Sequence, residues 1–443
     1  MVFLNRLVLL LSLAFGGALS ALAEPLLLAQ AQQRALSDSP MLAEIQARYQ
    51  AALEVPEQAA ALPDPTLTLG LLSVPTDGFA LDQEAMTQLQ VGISQSLPWA
   101  SERRLARSSA EKLAAATASE LEEARNRLLR DVTRSWWSLY FIDQSLSVVD
   151  ENLQRLREFN QIAQSRYRVG KGLQQDTLQA QLQLSAQLEL QLRLQGQRRT
   201  GEARLNALLA TPEAIRIVLP ANPSILISDI ASTPLLIEMA MQQRPWLHQQ
   251  QRQVDAAQDR QALAREDLLP DLTLGAAYGY RQDAPNGSSR ADLFSINLGI
   301  KIPLYSSSKQ HRQISQRGAE LNARREALRS AQLQVRSEVV QSASDYQQAR
   351  EQADLLEQGM IPQSKQTVAS MLVGYQVGKV DFSALIQAQL MVNRLQLQYW
   401  QAISDSQKAY ADLQAAIGNS ELTAAGLTPS YSLLHVNGGI RHE

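Results

Sequence analysis

From Ala100 to Arg166 the chain contains no proline, and Ala, Leu, Arg, Glu and Gln, all good helix formers, dominate the stretch. A second such run begins at Ser306 and is interrupted only at Pro362. At 1.5 Å per residue, a helix through either run would extend about 100 Å. Helices of that length cannot pack into a globule and must pair as coiled coils. Each run ends in the same turn, Val169-Gly170-Lys171 and Val377-Gly378-Lys379, and return helices are predicted over 176–209 and 383–417. Two long helical hairpins follow. Within the first return segment, Leu182, Leu184, Leu188, Leu190, Leu192 and Leu194 alternate with polar residues, a strand pattern by period alone. The absence of breakers and of β-branched residues favours helix there, with apolar positions spread to touch neighbours on two sides.

The hairpins belong to a duplication. Leu62-Pro63-Asp64 and Leu67-Thr68-Leu69-Gly70 return as Leu269-Pro270-Asp271 and Leu272-Thr273-Leu274-Gly275. Tyr167-Arg168-Val169-Gly170-Lys171 returns as Tyr375-Gln376-Val377-Gly378-Lys379, Gln179-Ala180-Gln181 as Gln387-Ala388-Gln389, and Ser39-Pro40 is echoed by Arg244-Pro245. The offset stays between 205 and 208 throughout, which marks a repeated unit. The organisation expected is a signal peptide over 1–23, a first repeat over 24–210, a proline-bearing linker over 211–234, a second repeat over 235–418 and a loosely ordered tail over 419–443. Each repeat reads as helix, two strands, long helix, turn and return helix. Arg6, the uncharged run Leu7 to Leu22 and the small-x-small site Ala21-Leu22-Ala23 carry the signal assignment, the run being short for a membrane anchor.

Four segments have a different period. Leu272, Leu274, Ala276, Tyr278 and Tyr280 alternate with Thr273, Gly275, Ala277 and Gly279. Phe294, Ile296, Leu298, Ile300 and Ile302 alternate with Ser295, Asn297, Gly299 and Lys301. In the first repeat Leu89, Val91, Ile93 and Leu97 alternate with Gln90, Gly92, Ser94 and Ser96, and Leu67, Leu69 and Leu71 with Thr66, Thr68 and Gly70. One greasy face and one small, polar face over about ten residues is what a tilted membrane strand requires. Lipid is therefore the expected neighbour of Leu89, Val91, Ile93, Leu272, Leu274, Tyr278, Tyr280, Phe294, Ile296, Leu298 and Ile300. The aromatics among them suit an interfacial girdle. A soluble four-stranded sheet over a core is the alternative; the Gly-, Ser-, Thr- and Asn-rich opposite faces and the Gly-, Asp-, Pro- and Ser-rich connections 75–86 and 281–292 weigh against it.

Four strands cannot close a barrel, and an open sheet edge in lipid costs several kcal/mol per unsatisfied backbone group. Closed barrels need at least about eight strands. Association is therefore required, and three copies supply twelve strands.

Composition removes other classes. A net charge of −3 gives no nucleic-acid footprint, and zero cysteines exclude disulfides, thiolate metal sites and cysteine nucleophiles. His248, His311, His435 and His442 are scattered, Met360, Met371 and Met391 fit helical packing, and Trp136-Trp137 fits a core or seam. No phosphate-binding glycine loop, nucleophile elbow or zinc-protease motif occurs, so neither enzyme nor cofactor is indicated.

The repeat, the four strands and the two Val-Gly-Lys turns together make the chain similar to the TolC-type outer-membrane efflux family over nearly its whole mature length. Leu62-Pro63-Asp64-Pro65 and Tyr167-Arg168-Val169-Gly170-Lys171-Gly172 most resemble its cation and heavy-metal efflux branch. The resemblance implies a mostly α fold with a four-strand contribution to a twelve-stranded β-barrel, completed in a homotrimer, and a long periplasmic α-helical barrel. It implies an outer-membrane channel of a Gram-negative bacterium that passively conducts substrates received from a periplasmic adaptor (a membrane fusion protein) and an inner-membrane pump. Val169, Gly170, Lys171, Val377, Gly378 and Lys379 would then be adaptor-docking tips. In the family's tip pattern an aspartate follows the Val-Gly, which makes Asp176 the candidate carboxylate at the tunnel mouth. In the second repeat Ala384 and Gln387 stand where the type member has aspartates, so only Asp176 remains to form a charged ring. Asp176 reads equally as a cap of the return helix. The competing function is an exported periplasmic coiled-coil scaffold with no channel.

Overall fold

A computed structural model describes residues 25–211, 215–225 and 229–418; the signal segment 1–23 and the tail 419–443 lie outside the described residues. In chain order the elements are α1 (Leu28–Asp38), α2 (Pro40–Leu53), α3 (Val55–Ala60), β1 (Thr66–Leu72), β2 (Gln88–Leu97), α4 (Ala100–Arg168) and α5 (Gln174–Leu208). The second half supplies α6 (Thr233–Gln243), α7 (Pro245–Glu266), β3 (Asp271–Tyr280), β4 (Leu293–Lys301), α8 (Gln310–Leu355), α9 (Ile361–Gln376) and α10 (Phe382–Ile417). Two compact units form. One gathers the described residues of Met1–Pro40, Asn126–Thr233 and Val339–Glu443, the other Met41–Arg125 and Pro234–Glu338. Neither unit is a sequence repeat, because each takes part of both.

The leading helix of each repeat, expected as one piece, is broken. Ser39 and Arg244 both adopt extended backbone (ψ 115° in each) immediately before a proline. The proline ring pushes the preceding residue out of the helical region, which is why the same Xaa-Pro step breaks both copies. Pro362 behaves differently. A π turn, Leu356–Met360, precedes it, and the Ile361 N–H bonds the Leu356 carbonyl five residues back. Pro362 then falls in the first turn of α9, where a missing N–H costs nothing, so the helix is displaced and not ended. The second long helix starts at Gln310 instead of Ser306, because Tyr305 to Lys309 are spent in a turn.

The leucine-rich return segment is helical throughout α5. Leu184 and Leu190 pack on apolar clusters and Leu194 is buried, while Leu182 and Leu192 remain exposed. In the first unit Trp136 and Trp137 are buried edge to face (5.0 Å between centroids), and Tyr140 bridges them to Trp400. The Trp136 indole donates to the Leu26 carbonyl and the Tyr140 hydroxyl to that of Ala221, at 3.0 and 3.1 Å. The linker is held alongside: Ile217 is buried, and Leu26 N–H bonds Val218 O at 2.8 Å.

In the second unit Arg244 is 3% exposed and Glu123 4%. Arg244 Nε and Nη2 donate to the two oxygens of Glu123 at 3.1 and 3.0 Å, and Nη1 donates to Glu338 at 3.0 Å. A charge this deeply buried is tolerated only while paired. Arg244→Ala should therefore lower the unfolding free energy by about 3–5 kcal/mol, whereas Arg244→Met combined with Glu123→Leu should recover most of the loss. Denaturant melts of the detergent-solubilised variants measure both; equal stability of the single and double variants would contradict the assignment.

Candidate functional site

The four strands form one antiparallel sheet in the order β1-β2-β3-β4, with no β1–β4 ladder among the described residues. The register places Tyr278 between Val91 and Phe294, Ile296 opposite Ala276, and Leu298 opposite Leu274. The period-two pattern accordingly becomes a continuous apolar face. Leu67, Leu69, Leu71, Leu89, Val91, Ile93, Leu274, Tyr278, Tyr280, Phe294, Ile296, Leu298 and Ile300 are all exposed on it, Ile296 at 70%. Leu272 is half-buried. Soluble monomers do not leave so large a patch uncovered. The opposite face is neutral from Gln90 to Ser96 and from Thr273 to Gly279. Its charges lie at one end, where Lys301 Nζ meets Asp271 at 2.7 Å. Beside that end the Glu102 carboxyl is pushed up, first by burial and then by Asp267, Asp271 and Glu266.

The two turns are built alike. Gly170 and Gly378 have φ of +71° and +77°. Lys171 N–H bonds Arg166 O and Lys379 N–H bonds Gly374 O, both at 2.8 Å; Gly170 and Gly378 N–H bond Tyr167 and Tyr375 O, both at 3.0 Å. This double bonding satisfies the last carbonyls of each long helix and requires a left-handed residue, which glycine supplies without steric cost. Val169, Lys171, Val377 and Lys379 are exposed around the two glycines.

The side chains around the turns are less symmetric. Tyr167 is 48% exposed, yet its repeat counterpart Tyr375 is 3% exposed. Tyr375 packs on Phe382 (5.1 Å between centroids) and donates its hydroxyl to Asp176 Oδ2 at 3.0 Å. Burial first, and the Asp176 carboxylate second, push the phenol up to about 12. Arg166 lies over the Tyr375 ring at 4.8 Å and donates to the carbonyls of Tyr375 (2.6 Å) and Lys171 (3.0 Å). One guanidinium thus ties the end of α4 to the end of α9. Ser383 adds a bond to Gln179 at 3.0 Å. Further along the same helices Gln389 donates to Asn152 at 3.0 Å, a buried amide pair between apolar clusters.

Asp176 is not a cap. Leu173 holds the N-cap position of α5 with no side-chain cap bond, and Asp176 sits in the first turn with its carboxylate engaged by Tyr375. Ala384 is half-buried and Gln387 exposed. Met371 packs on the cluster around Phe382, but Met360 and Met391 are exposed, so packing within the protomer accounts for only one of the three. His248 and His311 bond carbonyls of Gln242 and Ser306, and His435 and His442 lie outside the described residues. No described helix is long and apolar enough to cross a membrane, and no group of side chains positioned to hold a metal occurs among the described residues. Sequence reasoning missed Arg166 and the division of labour between the two tyrosines. The repeated Tyr-x-Val-Gly-Lys motif marked Tyr375, but only packing distinguishes it from Tyr167.

A sheet with one lipid-ready face and paired helical hairpins defines a class of outer-membrane channel subunit, and the comparisons agree. The outer membrane efflux protein family matches residues 31–211 and 236–419, one match per repeat, and the chain belongs to that family. It is accordingly an outer-membrane protein reaching into the periplasm. Protein CyaE of Bordetella pertussis is 27% identical over 256 residues, 55% of this chain; the chain spans about half (53%) of that relative's length. Among solved structures, the outer-membrane channel OprN is 19% identical with a TM-score of 0.74, covering 88% of this chain and 90% of its own. VceC of Vibrio cholerae is 20% identical with a TM-score of 0.74 (88% and 96% covered), and CusC is 14% identical with a TM-score of 0.76 (88% and 92%). At these identities the structures establish a shared fold.

Two outcomes are expected. Leu298→Arg, a charge on the apolar face costing about 2–4 kcal/mol near the bilayer midplane, should block insertion, while Leu298→Ile should be nearly silent; outer-membrane levels by immunoblot decide. Gly170→Pro or Gly378→Pro removes the positive φ and a turn hydrogen bond, and should abolish efflux with trimers intact on native gels. Loss of trimer would make the turns assembly elements.

Proposed function

We propose that three copies of this chain close a twelve-stranded barrel in the outer membrane, continuous with a helical duct, and that the assembly passively conducts small toxic solutes, metal cations included, out of the cell. The single supporting observation is the uncovered apolar face of a sheet whose outer strands β1 and β4 have no further neighbour among the described residues. Backbone groups in lipid must be satisfied, so copies of the same sheet are the natural neighbours. A periplasmic adaptor and an energised inner-membrane pump would deliver the cargo. The resemblance of the Leu-Pro-Asp-Pro and Tyr-Arg-Val-Gly-Lys-Gly segments to the cation and heavy-metal branch supports the metal part of the reading.

The duct opens where the two hairpins separate. The Tyr375–Asp176 bond and the Arg166 bridge join them, and both would have to break for one hairpin to move from the other. Three Asp176 carboxylates freed by that motion would favour cations at the mouth.

A channel subunit stays with outer membranes after a high-salt wash and comes off only in detergent, whereas an exported scaffold washes away; this extraction is the first test. A deletion strain should lose resistance to at least one compound in a screen of metals and organic toxins. Tyr375→Phe keeps the ring but deletes a hydrogen bond to a charged group, about 1.5–3 kcal/mol. It should raise the conductance of the purified trimer in planar bilayers, and unchanged conductance would remove the bond from the gate.

A further inference from the structure

The two exposed turns share a backbone but not a charge. Over 166–176, two arginines and a lysine against one aspartate give +2, while over the matching positions 374–384 one lysine and one aspartate cancel, in a chain whose net charge is −3. The difference arises at particular repeat partners: Arg166 matches Gly374, Arg168 matches Gln376, Leu173 matches Asp381 and Asp176 matches Ala384. In the first turn Asp176 faces inward onto Tyr375, which leaves Arg168 and Lys171 as the exposed charges. Neither makes an ion pair among the described residues. In the second turn the exposed Lys379 is two residues from the exposed Asp381. The apolar component is nearly equal: Val169 and Leu173 are exposed at the first turn, and Val373 and Val377 at the second.

We infer that the first turn docks a protein partner through carboxylates set beside a small apolar patch, and that the second turn docks through apolar contact with little electrostatic contribution. This rests on the adaptor-docking reading above and assigns the chemistry of its two halves. A protein surface fits better than anionic lipid. The Schellman-type bonding fixes each turn's backbone, so the valine and lysine are presented at set positions, as discrete complementary side chains require. Lipid headgroups demand only accumulated positive charge, and the second turn has none to offer. Arg168 and Lys171 on an otherwise acidic chain would also speed encounter with an acidic tip and reject a basic one.

The test is charge reversal in the deletion strain. Arg168→Glu with Lys171→Glu should lower resistance to the screened compound by at least about tenfold, since like charges across an interface cost several kcal/mol, with trimer and outer-membrane level unchanged. Lys379→Glu should lower resistance several-fold less than the double variant does, because apolar contact carries more of the docking there. Suppressors of the double variant, selected for regained resistance, should exchange Asp or Glu for Lys or Arg in a periplasmic protein. Full resistance of the double variant, equal loss from both turns, or suppressors lacking an acidic-to-basic change would each overturn the assignment. So would binding of the purified wild-type trimer to phosphatidylglycerol vesicles that the double variant loses. A deletion strain with no altered resistance would instead sink the transport reading itself, a separate result.

Discussion

The open edges of a four-stranded sheet set the terms for the rest of the molecule. Each edge of β1 and β4 presents backbone donors and acceptors, and the apolar face between them belongs in hydrocarbon, where no water is available to satisfy those groups. A protomer alone has no way to resolve this. In the assembly proposed above, the residues that prepare the chain for lipid are also those that call for a second copy. The neutral second face follows the same logic. In the proposed barrel, glycine, serine, threonine and asparagine there would keep the interior wide and wet; the charges of this face are gathered into the Lys301–Asp271 pair at one end of the sheet.

The helices are governed by a different economy. Unbroken runs of good helix formers fix their length, but stability comes from pairing, and their buried side chains are correspondingly specific: the Trp136–Trp137–Tyr140–Trp400 cluster in one unit, the Arg244–Glu123–Glu338 ion group in the other. The ion group sits at the Xaa-Pro break of the second repeat. The kink that Pro245 imposes on Arg244's backbone and the pairing of its side chain occur at one residue, so local geometry and long-range packing specify the same conformation.

How much of this could be read from the sequence depended on whether the signal was periodic. The apolar face and the turns that close the long helices follow from alternation and from glycine at the turns, local properties with a physical cause, whereas the strand register is visible only in the backbone. The breaks at Ser39 and Arg244 were present in the sequence as repeated Xaa-Pro steps, but their effect on the helix emerged only with the backbone. Asp176 looked like a cap because carboxylates favour helix starts; that helix begins at Gln174 with Leu173 as its N-cap, which leaves the carboxylate to Tyr375. Tyr375 is buried partly against nearby Phe382, where the first repeat has Gln174, and partly by Arg166 and Asp176, distant residues that only the fold brings near.

Duplication explains both the likeness of the two turns and the way they diverge. The shared glycine-centred bonding could be kept because it is a property of the main chain, while the side chains around it were free to specialise. Arg166 gained carbonyl partners on the opposite hairpin, and its counterpart Gly374 is held small, since a Cβ there would come within 2.6 Å of Val380. Tyr375 moved inward to meet Asp176, whose counterpart, Ala384, offers no acceptor to Tyr167. Two identical hairpins would have only symmetric contacts to exchange. Once their side chains differ, Arg166 of the first hairpin can donate to a carbonyl of the second while Tyr375 of the second donates to Asp176 of the first, a reciprocal joint that two identical turns would not make.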